Sequence, residues 1–526
     1  MFSYQIHRKL FILFIIILSI GLTMGKLLMS VSMIGLSVNW LIEGNFNKKW
    51  QINKSRGYSP IIFSGLFIIE ILWLFVANDI SSGLSSIRIK LPLLVLPIVL
   101  GTSAKLNSKE LKIILYSFIL GVVFSTVIAY LVDYGLIDKK TITGTSRDIS
   151  IFMSHIRYSL VLSFSIFIVL FLIIKKKINK WLGLFLAFWF GALIYKMSSM
   201  TALLGLFFGF GVFLINIFMN SKKRTLILST FVSLTFLIII SLYTIISDHY
   251  NAKESEPLPD LLEHSKAGEK YIHYNNKSLE NGYYVWKNIA EKELTKEWRK
   301  RSEIPINGKD KKGQSIKHTL YRYLTSKGLK KDKEGMEKLS QIDIEAIQNG
   351  CTSSVQYNQI SKRIRGLLFE IDNFKKTNNP NNHSLTQRIL YWNIGFEIFK
   401  KSPIIGFGTG NSKLIFKDFY KKNKTILSEK NQRYAHNQFL TQLINLGIIG
   451  FVLWIFLLLT PIIKLINFKD PLFLSLICLM FIALISDDML ERQAGVTISA
   501  SFFYIIVFLN SEEKLKKLFF LKKNPK

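Results

Sequence analysis

The sequence predicts an all-α polytopic membrane protein, with about twelve transmembrane helices and one large helical loop between the ninth and tenth. Three observations predict it. Apolar residues make up 49% of the 526 and gather in uninterrupted runs, and a bilayer span needs roughly 17–25 mainly apolar residues. Lys and Arg total 68 against 35 Asp and Glu, and most of them sit in short clusters between those runs. A single long hydrophilic stretch, from about Asp248 to Ala435, interrupts the alternation.

Candidate spans begin near Leu10, Leu27, Pro60, Lys90, Leu111, His155, Trp181, Met200, Thr225, Asn437, Pro471 and Gly495. The first two and the fourth are short or polar. His7, Arg8 and Lys9 before Leu10 to Thr23 imitate a secretory signal, but no small-residue cleavage site is evident and a second apolar run follows at once. The first run therefore reads as an uncleaved span.

Orientation follows from the positive-inside rule. With the N-terminus in the cytoplasm, the inner connections carry Lys48, Lys49, Lys54 and Arg56, then Lys105, Lys109 and Lys112, then Lys175, Lys176, Lys177 and Lys180. Lys222, Lys223 and Arg224, then Lys464 and Lys469, and finally the tail from Lys514 to Lys526, fall on the same side. The outer connections Asn78 to Ser86 and Asp487 to Gln493 are short and poor in Lys, and the one between Asp133 and Ser150 is mixed. An even number of spans closes with both termini cytoplasmic. The expected division is a membrane bundle over 1–247, an outer loop domain over 248–435, a second bundle over 436–510 and a basic tail over 511–526. The loop is rich in Lys and Arg, yet long loops do not obey the charge rule.

A formal charge of +33 ordinarily raises nucleic acid as a partner. Here the cations border apolar runs, which marks topology and contact with anionic lipid heads instead. Membrane lipids are thus expected partners and nucleic acid is not. Cys351 and Cys478 lie in a polar loop and an apolar run, so a bridge between them is not expected. No His/Cys cluster has metal-ligand spacing, and neither a metal nor a cofactor is expected.

Within the loop, Trp286, Ala290, Leu294 and Trp298 recur at four-residue steps, and Leu385, Ile389, Trp392, Phe396 and Phe399 at steps of three and four. Both describe amphipathic helices. The second suits the membrane surface or the outer ends of the spans. Asn378 to His383, with Pro380, is a turn-rich break before it.

His436-Asn437 is the sharpest local feature, at the start of the span Gln438 to Pro461. A helix N-terminus disfavours positive charge and so biases imidazole toward its neutral, proton-accepting form, suited to a general base. The bland alternative is a histidine that merely caps the helix. Gly447 and Gly450 would permit a neighbouring helix to approach closely. Arg388 borders the apolar stripe of its helix, where a planar cationic fork suits a phosphate or diphosphate, or simply snorkels to water. His155 and Arg157 open another span on the same side. With Arg433 and the carboxylates Asp487, Asp488 and Glu491 they could line one outward cavity, though interfacial anchoring explains each singly. Gly406-Phe407-Gly408-Thr409-Gly410 has neither the strand nor the helix of a nucleotide loop and reads as a tight turn.

Taken together, Arg388-Ile-Leu-Tyr-Trp392, Pro403-Ile-Ile-Gly-Phe-Gly408, and His436-Asn437 followed by Gly447-Ile-Ile-Gly450 resemble the O-antigen ligase and polymerase superfamily. The motif match covers about Gln387 to Pro461, and Glu280 to Gly350 resembles a segment of Bacteroidetes-type members. The resemblance implies a metal-independent glycosyltransferase of a bacterial inner membrane. Such an enzyme moves a glycan from a polyprenyl (undecaprenyl) diphosphate carrier to lipid A–core, another glycan or a protein on the periplasmic face. It implies that His436 orients or deprotonates the acceptor hydroxyl and Arg388 holds the leaving diphosphate. Asn437, Arg433, Trp392, His155, Arg157 and Glu491 would line the substrate site. Many members begin a middle span with a Ser-Arg pair; here the stretch reads Ser198-Ser199-Met200-Thr201, and Arg157 could substitute from a neighbouring span. A polymerase of the same fold is one alternative. A glycolipid transporter is another, although transporters bind substrate near the midplane between repeated halves.

Overall fold

The computed structural model describes residues 3–137, 149–218, 224–254, 261–274, 279–280, 283–355, 358–381, 383–465, 470–501 and 503–504. The mixed connection centred on 138–148, Lys222, Lys223, Lys469 and the basic tail lie outside the described residues. The protein is all-α apart from one two-stranded ribbon among those residues. Among the described residues, ten helices are long and apolar enough to cross a membrane. They run Tyr4–Met24, Lys26–Glu43, Ser59–Val76, Ile80–Thr102, Ser108–Asp133, His155–Ile174, Lys180–Met197, Met200–Phe218, Arg224–Tyr250 and Gln438–Lys464. A shorter apolar helix, Pro471–Ser486, follows, and 493–501 is helical again. These twelve correspond to the expected runs.

The fourth differs in where it starts. Its helix begins at Ile80, capped by Asp79, whose Oδ1 accepts from the Ser81 amide at 3.0 Å. Most of the outer connection expected over Asn78 to Ser86 is therefore helix. The Ser-rich run hid this: its buried face is made by Gly83, Ser86 and Lys90, which hydropathy does not mark as a span. Lys90, expected at the mouth of the span, is wholly buried where Ile80–Lys90 meets Pro92–Thr102.

The chain divides into two compact units, Met1–Ser233 with Glu370–Lys526, and Leu234–Phe369. In the first, Tyr4–Met24 packs on Lys26–Glu43 and Ser108–Asp133, Ser59–Leu72 on Pro92–Thr102 and Gln438–Leu465, and Met200–Phe218 on Pro471–Ser486. In the second, four short helices, Glu291–Arg299, Ile316–Ser326, Lys333–Glu337 and Gln341–Gln348, enclose Leu294, Trp298, Leu320, Leu324, Ile344 and Ile347. The expected helix through Trp286 does not form. Ala290 caps a helix that begins at Glu291, and the Trp286 carbonyl accepts from Tyr274 N–H in an extended pairing at 2.9 Å.

Gln438–Leu465 is broken at Gly447, whose φ of 62° and ψ of −173° only glycine adopts readily. The segment Pro403 to Gly408 crosses the break and takes over the backbone bonds the helix gives up. Phe407 and Gly408 donate to the carbonyls of Ile444 and Asn445 at 3.0 and 2.8 Å, and Ile448 donates to Pro403 at 2.8 Å. A Cβ on Gly447 would stand 2.3 Å from the Ile404 carbonyl oxygen. The expected role of this glycine in helix–helix contact is thus corrected: it admits a loop. Gly450 does admit a close neighbour, the Trp73 ring. The tight turn expected over Gly406 to Gly410 forms, with Gly406, Gly408 and Gly410 all at positive φ.

Candidate functional site

Ser384–Phe399 carries Arg388 and buries Tyr391, Ile394, Gly395 and Ile398. They pack with Phe416, Tyr420, Leu427, Leu440 and Ile444. The interior stripe is offset from the expected one: Ile389 and Phe396 remain 43% and 52% exposed, a face suited to lipid. Leu385, Trp392 and Phe399 are only partly buried. The offset arises because Gly395 lets the helix settle on Leu440, a pairing that periodicity cannot foresee.

The loop between Pro471–Ser486 and the last helix holds three carboxylates, and it is latched to the start of Gln438–Leu465. Asp488 Oδ1 accepts from the Thr441 hydroxyl at 2.6 Å and the Asn437 amide at 3.2 Å. The Leu490 amide donates to Gln438 Oε1 at 2.7 Å. His436 thereby faces Asp487, with Nδ1 3.3 Å from Oδ1, and Arg157 donates to the other carboxylate oxygen at 3.0 Å. His436 holds this position in the left-handed region, at φ 49°, a conformation that non-glycine residues adopt mainly where the surroundings enforce it. Its ring stacks on Tyr434, with centroids 5.3 Å apart and planes inclined by 18°, and lies 5.9 Å from Tyr391.

Burial pushes the Asp487 carboxyl up, but the His436 hydrogen bond and the Arg157 charge outweigh it and hold the group below its ordinary value. Asp488 is pushed up to about 6 by burial. Arg388 is half-buried against the same pair: burial works against its charge, and Asp487, Asp488 and Glu370 are the carboxylates that offset this. It makes no hydrogen bond or ion pair among the described residues. The structure thus gathers an imidazole and two guanidinium groups about Asp487 and Asp488.

The other expected residues divide. Asn437 caps its helix, its Oδ1 accepting from the Leu440 amide at 3.2 Å. Glu491 turns inward to a buried ion pair with Lys90 at 2.9 Å. Trp392 packs in the cluster below the Arg388 helix, and its indole N–H is buried without an acceptor among the described residues. Arg433 is exposed, and its charge reaches Tyr391. His155 is the first residue of the Arg157 helix. Sequence reasoning missed Tyr434, Tyr391 and Lys90, none of which has a local signature. The pair Asp487-Asp488 at the end of an apolar run was a usable signal, yet Glu491 was singled out instead. His436, Asp487 and Asp488 offer ligand atoms within 4.8 Å of one another and could in principle hold a cation.

Residues 349–455 match the family model described as O-antigen ligase. That segment is similar to an O-antigen ligase. No curated protein matches the chain. The matched O-antigen ligase segment contains Arg388, Trp392, Arg433, His436 and Asn437, while Arg157 and Asp487 come to them from outside it. It overlaps the Bacteroidetes-like stretch only at Asn349 and Gly350, so that kinship gains no support. Together with the apolar helices, the match fits a multi-pass membrane protein.

Proposed function

We propose that the protein transfers a glycan from a polyprenyl diphosphate carrier to an acceptor hydroxyl on the periplasmic face of a bacterial inner membrane, as an O-antigen ligase does. The observation that carries this reading is the convergence of His436, Asp487, Arg157 and Arg388 at one end of the bundle. With Nδ1–H donated to Asp487, Nε2 of His436 keeps its lone pair and takes the proton of the acceptor hydroxyl. The freed oxygen bonds to the anomeric carbon, and the bond from that carbon to the diphosphate oxygen breaks. Charge grows on the leaving diphosphate, where Arg388 and Arg157 stabilise it.

Arg157 is well situated to serve where Met200 replaces the arginine of many relatives. Ser159, half a turn on, meets the Ser199 hydroxyl at 2.8 Å, which joins the first turn of the Arg157 helix to the start of Met200–Phe218.

The test is transfer in vitro from an undecaprenyl diphosphate-linked glycan. His436→Ala and Asp487→Asn should each lower turnover by about 10²–10⁴-fold, and chelation of divalent cations should leave it unchanged. Full activity in His436→Ala would remove the base. Loss of activity on chelation, restored by a divalent cation, would reassign His436, Asp487 and Asp488 as metal ligands. Polymers instead of single transfers would indicate the polymerase form of the same chemistry.

A further inference from the structure

Tyr434 is held between two cations that the transfer chemistry above does not use. Arg492 Nη2 donates to its hydroxyl at 2.9 Å, and Lys413 Nζ lies 5.2 Å from its ring centroid. The same ring stacks on His436. Arg492 and Lys413 come from remote parts of the chain, the turn after Glu491 and the first turn of Ser412–Lys422, so nothing local brings them together.

Neither cation has a carboxylate within ion-pair distance among the described residues. Glu491, the residue before Arg492, is engaged by Lys90 at 2.9 Å. At longer range Glu491 and Asp488 attract the Lys413 charge, while Arg492 and Lys90 repel it. Two exposed cationic residues, neither ion-paired among the described residues, offer a socket for a small anion. The socket is separate from the diphosphate pair: Arg157 reaches the imidazole through Asp487, whereas Lys413 and Arg492 flank the ring stacked upon it.

We propose that Lys413, Arg492 and Tyr434 form a second anion site, which binds a phosphate group borne by the acceptor and so seats its hydroxyl against His436. This rests on the transfer reading. A phosphate fits because Arg offers a planar fork and Lys a mobile point charge, a pair that reaches several oxygens of one group. A tyrosine edge beside them suits the flanking sugar ring. The donor diphosphate and the acceptor phosphate would then lie to either side of one imidazole.

Binding, read without turnover, tests it. The probes are an oligosaccharide bearing one phosphate monoester and its dephosphorylated counterpart, with the full-length protein in phosphatidylcholine nanodiscs and again in phosphatidylglycerol nanodiscs. The wild type should bind the phosphorylated probe about tenfold or more tighter. In Lys413→Ala/Arg492→Gln the ratio should fall to near one, and Lys413→Arg/Arg492→Lys should restore most of it. Equal binding of the two probes by wild type in phosphatidylcholine overturns the proposal, as does a preference that survives in the double variant. Preference in phosphatidylcholine but not in phosphatidylglycerol shows the same socket taking a lipid headgroup in competition. An intact preference in a protein that transfers no glycan would separate failure of the transfer reading from failure of this one.

Discussion

In the proposed reaction Asp487 selects which nitrogen of His436 is left to react, and Asp488, one residue on, is the group through which the fold should respond to pH. Asp488 is buried with one carboxylate oxygen lacking a hydrogen-bond donor among the described residues. Its folded pKa rises from the ordinary 3.8 to about 6. A carboxyl raised on folding favours the fold while protonated and weakens it once ionised. Its contribution is therefore whole below about pH 4 and lost as pH climbs through about 6. Asp488→Asn should flatten the fall in melting temperature between pH 4 and 7, measured in detergent, while keeping the oxygen that Thr441 and Asn437 require. An unaltered pH profile would mean that another group governs it. Arg388 belongs to this scale too. Its type and position were legible in the sequence, but its lack of a protein partner was not.

The broken helix Gln438–Leu465 is the element on which the site depends, because the loop that crosses it also meets a buried charge network. Thr409 donates to Glu70 Oε2 at 3.0 Å, Gln442 to Glu70 Oε1 at 3.0 Å, and Lys90 bridges Glu70 at 2.7 Å to Glu491. Gly447→Ala would force a Cβ against the Ile404 carbonyl at a positive φ, and should cost about 2–4 kcal/mol. Its signature would be loss of monodisperse protein on size exclusion, with Gly450→Ala as the comparison at a helical φ. Lys90→Met should cost about 3–5 kcal/mol by leaving two buried carboxylates without their cation. Lys90→Met with Glu70→Gln and Glu491→Gln should regain most of that stability. A triple variant as unstable as the single one would mean that lost packing around the lysine stem, and not unpaired charge, is the cause.

At the scale of the molecule, alternating charge clusters and apolar runs give a topology that reporter fusions test directly. Fusions after Lys54, Lys112 and Lys177 should be active as cytoplasmic reporters, and fusions within Lys309 to Gly350 as periplasmic ones. A cytoplasmic result for the second group would invert the protein and end the proposal of periplasmic transfer. Twelve helices in the expected places follow from hydropathy, since a long apolar run has few other uses. The fourth was misplaced by ten residues because its first half is rich in Ser and carries Arg88 and Lys90, which lowers its hydropathy below that of a span. Trp286 shared a period with Leu294 and Trp298 without sharing their helix, because a four-residue step over three or four positions also arises by chance.

The sequence by itself marked the apolar runs that can cross a membrane, and it offered a histidine and an arginine, His436 and Arg388, that the fold brings to the same pair of carboxylates. Those signals are local: hydropathy over a run, or a motif a few residues long. Only the tertiary structure decided that Asp487 and Arg157, 330 positions apart, meet at His436. It alone showed Lys90 closing a buried network, and Tyr434 joining His436 to Lys413 and Arg492. Such pairings are fixed by how helices pack and where one breaks, and packing is a property of surfaces brought together, with no trace in the neighbouring residues of either partner.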